Sequence, residues 1–416
     1  MKSKSYGLTP LTLMKASVRA FWRSVLSALG FVIGIAAVDS ARAQSWVPTS
    51  APSDVWQGIT SSADGTKLAA AAQSPTYGGD GLIYTSTNSG DTWQASGAPT
   101  NNWGYLVGSA DGTRLIGLTY SGKIYLSTNS GGDWESESTV GILAMACSAD
   151  ATHVLGGGFF APLVISTNSG LTWMQVTQHL NVSLWVSFAC STNFKTLAAL
   201  DTGNTCYTST NSGATWRSVT NGPVPNQMNT YYPQIACSAD GTKMVLVTQY
   251  AGEIYTSTNS GASFVASHSY TATGGSVSDY QIASSADGST LVIANCQYTY
   301  ISTNSGATWT TFAVNSNGSP YVGTVCSADG TKIFAMLVPG LIYKWQAPVI
   351  SIANNGGSAN LSWPWLFSPS FALQTNSDLT TTNWAAFGAA PTVTNGQNLV
   401  TVPCGHGQQF FRLVRQ

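Results

Sequence analysis

The sequence predicts an all-β chain in which one four-stranded unit recurs seven times and closes into a ring, and three observations carry that prediction. First, Ser-Thr-Asn-Ser-Gly-x-x-Trp/Phe starts at Ser86, Ser127, Ser166, Ser209, Ser257 and Ser302, at steps of 41, 39, 43, 48 and 45 residues. Second, Ser-Ala-Asp-Gly-Thr or a near copy interleaves with it at Asp64, Asp111, Asp150, Asp240, Asp287 and Asp329, with a degraded copy centred on Asn193. Third, Trp46 precedes Asp64 by 18 residues, the same interval as Trp93 to Asp111, yet no octapeptide stands before it. A period of about 40–45 residues built from short strands and glycine turns marks propeller blades. The last unit stops at Leu341-Ile-Tyr-Lys-Trp345, so a strand near Trp46 is expected to pair near Tyr343 and complete it. Such closure removes two exposed sheet edges. The fold class is therefore a seven-bladed β-propeller.

In chain order, residues 1–43 read as an export leader. Lys2, Lys4, Lys15, Arg19 and Arg23 precede the apolar run Val25–Val38, and Ala41-Arg42-Ala43 offers a small-x-small cleavage site. The run is shorter than the ~20 apolar residues of a membrane span. Its removal leaves 10 basic and 16 acidic residues, a net charge of −6. Residues 44–347 form the propeller. Residues 348–416 lose the repeat and read as short strands over 349–353, 359–363, 371–374, 398–402 and 410–414, separated by turns such as Asn354-Asn355-Gly356-Gly357. A small β-sandwich is expected there.

Composition narrows the partners. The chain of 416 residues is 43% hydrophobic and only 8% charged, against a usual charged share of about 25%. A surface of Ser, Thr, Asn and Gly suits uncharged polar ligands. It does not suit nucleic acid, which requires clustered Lys and Arg.

The repeats themselves carry structure. In the octapeptide, Asn hydrogen-bonds backbone nearby and Gly supplies a positive φ. The Trp that follows buries a large area between sheets. The second motif reads as a hairpin turn between strands, as over 235–247. The octapeptide resembles the Asp-box (BNR) repeat, Ser-x-Asp-x-Gly-x-Thr-Trp, of sialidase-like propellers, xyloglucan-type glycoside hydrolases, sortilin-like receptors and photosystem assembly factors. All six copies carry Asn (Asn88, Asn129, Asn168, Asn211, Asn259, Asn304) where that family usually has Asp. The resemblance implies the fold, and it implies that the box lies away from the active face. A sialidase site resembles a three-arginine clamp, whereas this propeller has only Arg114 and Arg217, which argues against that activity. The C-terminal pattern Leu361-Ser-Trp-Pro, Asn383-Trp384 and Phe410-Phe-Arg-Leu413 resembles a module common in exported proteins of Verrucomicrobia-like bacteria.

The irregular face, opposite the two repeats, is where function is expected. Eight residues before each repeat Asp or Asn193 stand Trp56, Trp103, Ile142, Trp185, Tyr232, Asp279 and Tyr321. Trp56, Trp103, Trp185, Tyr232 and Tyr321 would ring the channel mouth and stack on sugar rings, with Asp279 bonding hydroxyls. The competing expectation is that they plug the channel and pack blades together. A glycoside hydrolase would need two carboxyls at a defined spacing, for which Asp201, Glu253 and Asp279 share the face. Cys147, Cys190, Cys237 and Cys326 each stand three residues before a repeat Asp or Asn193. They are expected to be small buried residues between blades, too far apart for disulfides. Taken together, the residues predict a non-catalytic, monomeric binding or scaffold protein without cofactor or metal. The expected partner is a neutral polysaccharide or a cell-surface protein, with no membrane span after leader removal. A hydrolase or lyase and a protein-assembly factor are the alternatives.

Overall fold

The computed structural model describes residues 33–35 and 45–415 except 74–78, 159–160, 179, 181, 183, 204, 220–232, 249–252, 270–279, 296–297, 314–320, 338–339, 347–349, 355–357, 365–370, 379, 382, 395–396 and 404–408. Residues 44–347 with 366–369 form one compact unit, and the rest of the chain forms a second.

The first unit is a β-propeller whose described residues make seven four-stranded antiparallel sheets. The innermost strands of blades 1 to 7 are Val55–Ser61, Trp103–Gly108, Ala144–Cys147, Trp185–Cys190, Gln234–Cys237, Gln281–Ser284 and Tyr321–Cys326. Blade 7 is completed by the N-terminal strand Ser45–Pro48, which pairs with Ile342–Gln346 and sets Trp46 opposite Trp345 and Pro48 opposite Tyr343. The two indoles meet edge to face at 5.2 Å. The closure read from the missing octapeptide is the one observed.

The core is divided between the blades. Second strands such as Leu68–Gln73, Leu115–Thr119 and Ile333–Leu337 are buried on both faces, because each sheet is covered by a neighbour on either side. Between blades 1 and 2, for instance, Ala69, Ala71 and Ile83 pack on Trp103, Leu106, Leu115 and Tyr125. The repeats form the turns on one side. In each octapeptide the Ser hydroxyl accepts the N–H of the Gly four residues on, as from Gly90 to Ser86 at 2.9 Å. The Asn carbonyl oxygen accepts another N–H, as from Thr92 to Asn88 at 2.9 Å. Both the second Ser and the Gly take positive φ, 58° at Ser212 and 84° at Gly213.

On the same side the seven blades are tied by a circle of backbone hydrogen bonds. Ala63 N–H donates to Ala110, Ala110 to Ala149, Ala149 to Thr192, Thr192 to Ala239, Ala239 to Ala286, Ala286 to Ala328, and Ala328 back to Ala63, at 2.6–3.0 Å. Each donor is the residue before a repeat Asp or Asn193. With neighbouring backbones about 4.8 Å apart, as in a sheet, seven such steps draw the inner strands into a narrow collar.

In the second unit, Ser351–Asn354, Ser358–Pro364, Gln397–Pro403 and Thr392–Thr394 make one sheet. Phe371–Asn376, Gln409–Arg415 and Ala385–Ala386 make another, with Ile33–Ile35 parallel to Gln409–Arg415. Leu361, Trp363, Val400 and Val402 of the first sheet pack with Leu373 and Phe411 of the second, the arrangement of a small sandwich. The leader expected over 1–43 lies outside the described residues apart from that three-residue strand. No helix among the described residues is long and apolar enough to cross a membrane.

Candidate functional site

A β-bulge decides what faces the channel. In blades 1, 2, 4 and 7 the pairing of the innermost strand slips by one residue between Trp56 and Gly58, Trp103 and Tyr105, Trp185 and Ser187, and Tyr321 and Gly323. Side chains alternate along a strand, so one extra residue reverses which face the start of the strand presents. The indoles therefore turn into the blade interfaces. Trp56 and Trp103 are 0% exposed and Trp185 is 2% exposed.

Each indole is held by named neighbours. Trp56 meets Tyr84 at 5.7 Å and donates its indole N–H to the Gly340 carbonyl at 2.9 Å. Trp103 meets Tyr125 at 5.1 Å, and Trp185 meets Tyr207 at 5.4 Å, both edge to face. A methyl on Gly117 would stand 2.8 Å from the Trp103 ring, so only glycine leaves room for that indole. The stacking role expected of these three is thus corrected: their faces are covered, and they pack blade on blade. Tyr232 and Asp279 lie outside the described residues. Tyr321 opens the inner strand of blade 7, where its backbone alone is described.

The channel is lined instead by the residues that follow. It encloses about 780 Å³, and no Asp, Glu, Lys, Arg or His occurs among its described lining residues. At the irregular face stand Gln57, Tyr105, Tyr120, Ser187, Gln234 and Gln281. Below them the wall mixes small residues, Ala146, Ala189, Ala236 and Ala283, with larger apolar ones such as Val107, Ile282 and Val325. The floor, just above the collar, is Cys147, Cys190, Cys237 and Cys326 with Ser61, Gly108 and Ser284. These four cysteines are half-buried free thiols that pack against the clusters between blades, as expected, and also line the channel.

Among the described residues of this mouth, Tyr120 is an exposed aromatic. It comes from the turn between Leu115–Thr119 and Lys123–Ser127 and is 52% exposed. Its ring lies against Gly104, where an added methyl would stand 3.4 Å from two ring carbons. Its hydroxyl donates to Gln57 Oε1 at 2.9 Å. One face is thus seated on bare backbone while the ring stays accessible at the mouth. Burial keeps the Tyr105 hydroxyl above its ordinary pKa, so it remains protonated at neutral pH.

Of the carboxylates of the hydrolase alternative, Asp279 lies outside the described residues and the other two are engaged locally. Asp201 is buried, accepts the Thr205 N–H at 2.7 Å as a turn cap, and has its pKa raised by burial. Glu253 accepts a hydrogen bond from the Tyr255 hydroxyl in its own strand. Among the described residues no three His, Cys, Asp or Glu side chains are placed to hold a metal ion. Arg114 donates to Ser169 Oγ in an octapeptide turn at 3.0 Å, on the side of the repeats.

The fold and this channel define a β-propeller whose described channel lining carries no charged side chain. Among solved structures the chain is similar to YCF48 from Cyanidioschyzon merolae, at 14% identity and a TM-score of 0.52, over 73% of this chain and 98% of that one. It is also similar to a structure of YCF48 bound to D1 peptide, at 12% identity and a TM-score of 0.52, over 75% of this chain and 99% of that one. No family model matches the chain, and no curated protein does.

Proposed function

We propose that the protein is a non-catalytic binding propeller that seats an extended, uncharged peptide segment of a partner protein at the channel mouth. The observation that carries this reading is the pairing of a cavity whose described lining holds no charged side chain with a pre-seated aromatic, Tyr120 on Gly104. An aromatic fixed by its surroundings loses little entropy on stacking, and side-chain amides such as Gln57 and Gln234 can bond a peptide backbone. A propeller of the same fold has been solved with a peptide bound, which supports the same use of the scaffold here. On this reading the octapeptides are Asp-box turns that build the scaffold, and residues 1–43 direct export.

The test is an array of peptides of graded charge, run beside a neutral glycan array, with the full chain and its Tyr120→Ala variant. Uncharged peptides should be retained by the wild type and lost by the variant, with little response to salt, since no ion pair is formed. Retention of neutral glycans alone would overturn the peptide reading in favour of a carbohydrate ligand.

A further inference from the structure

The channel floor carries chemistry that peptide binding does not use. Cys147, Cys190 and Cys237 end the inner strands of three successive blades and line one cavity. Cys147 and Cys190 lean the same way around the axis. Cys190 Sγ donates to the Cys147 carbonyl at 2.9 Å, and Cys147 Sγ to the Gly108 carbonyl at 3.5 Å. The middle sulfur therefore stands against the backbone of its neighbour, one blade step from a sulfur on either side. Beneath them the collar's N–H and C=O groups bond one another, so the floor presents sulfur as its reactive group. Burial pushes Cys147 and Cys237 up to about 12 and Cys190 well above the ordinary thiol value, the last helped by its two thiol neighbours. All three are neutral thiols at pH 7.

A ligand for this floor must prefer sulfur, need few donors and leave no net charge behind. Tetrahedral zinc needs four donors, which this floor does not gather. Two thiolates cancel the charge of one divalent cation, and soft sulfur selects soft metals. We propose that Cys190 and one adjacent thiol, Cys147 or Cys237, bind a soft divalent d10 cation between two sulfurs. Two S–H protons leave to solvent through the mouth as two sulfur–metal bonds form. No electron moves, and the product is neutral, which suits a channel whose described lining holds no charged side chain.

The experiment uses the full chain with Hg(II) as probe, counting unreacted thiols afterwards in denaturant. The first equivalent should consume two thiols and release two protons, while Zn(II) at the same concentration consumes none. Cys190→Ser should abolish the two-for-one stoichiometry, and so should the Cys147→Ser/Cys237→Ser pair, with unchanged melting temperatures excluding misfolding. Cys326→Ser should keep it, because Ser284 and Ser61 flank that position. One thiol consumed per Hg(II) in the wild type overturns the proposal, as does a two-for-one ratio that survives Cys190→Ser.

Discussion

Tyr120 rests on Gly104: a methyl added at Gly104 would touch its ring at 3.4 Å, and the Tyr120 hydroxyl is tied to Gln57 at 2.9 Å. The platform thus depends on a side chain that is missing. Gly104→Val should lift the ring and weaken ligand retention as much as Tyr120→Ala does. Both positions are open to the mouth, so the melting temperature should hardly move. Parallel thermal melts and binding curves check this.

Trp103 and Gly117 form a tight pair at the interface of blade 2. Trp103→Ala should cost about 3–5 kcal/mol through lost burial and a cavity. Gly117→Ala should cost about 1–3 kcal/mol by overpacking. In the double variant the new methyl enters the vacated space, so the total should fall below the sum of the two. Urea unfolding of the three variants measures it.

The turn aspartates predict an acid transition. Asp64, Asp111 and Asp287 are each held at about 2, first by the Ser hydroxyl two residues earlier and then by the N–H two residues later. Their folded pKa lies below the ordinary 3.8, so their contribution is fully present above about pH 4. It drains away as pH falls toward 2. Asn193 occupies the same turn in blade 4 and accepts the equivalent N–H, from Lys195, at 3.0 Å without a charge. Combined Asp64→Asn, Asp111→Asn and Asp287→Asn substitutions should move the acid midpoint of the circular-dichroism signal to lower pH.

Asn in place of Asp in the octapeptide is tested by two substitutions. Asn211 Nδ2 donates to Thr215 Oγ1 at 2.9 Å, and that hydroxyl can donate instead if Asn211→Asp is made. Asn129 Nδ2 donates to the Asp133 carboxylate at 2.8 Å. Asn129→Asp would set two exposed carboxylates face to face and should cost up to about 1 kcal/mol at pH 7. Asn211→Asp should cost distinctly less. The difference should shrink near pH 3, which distinguishes repulsion from lost geometry.

The blades were legible because the turn chemistry is repeated: Ser86, Asn88 and Gly90 make the same bonds as Ser302, Asn304 and Gly306. Even the missing copy located the closing strand. The mouth was less legible. Counting back eight residues from the repeat Asp finds Trp56 and Trp103, but the bulge after each turns it inward. Nothing in composition marks a one-residue slip, so the residues one and two positions later, Gln57 and Tyr105, were passed over. Tyr120 was missed because it lies in a non-repeating turn. Blades 3 and 4 show a limit of the motif: Ala151 and Phe194 take φ 53° and 57° where the other five blades have Gly, and Phe194 is held there by burial beside His153.

The collar from Ala63 round to Ala328 has every donor pointing the same way round. A helix end concentrates its peptide dipoles into a pole that draws ions of one sign. Here the dipoles chase one another in a loop with neither head nor tail, and along the axis they largely cancel. The peptide groups therefore add no pole at the bottom of the channel, and the charge felt there comes from turn aspartates such as Asp150 and Asp240, which add to burial in raising the Cys147 and Cys237 thiols. No helix-like pole is there to call a ligand in, so shape, stacking and sulfur do the choosing.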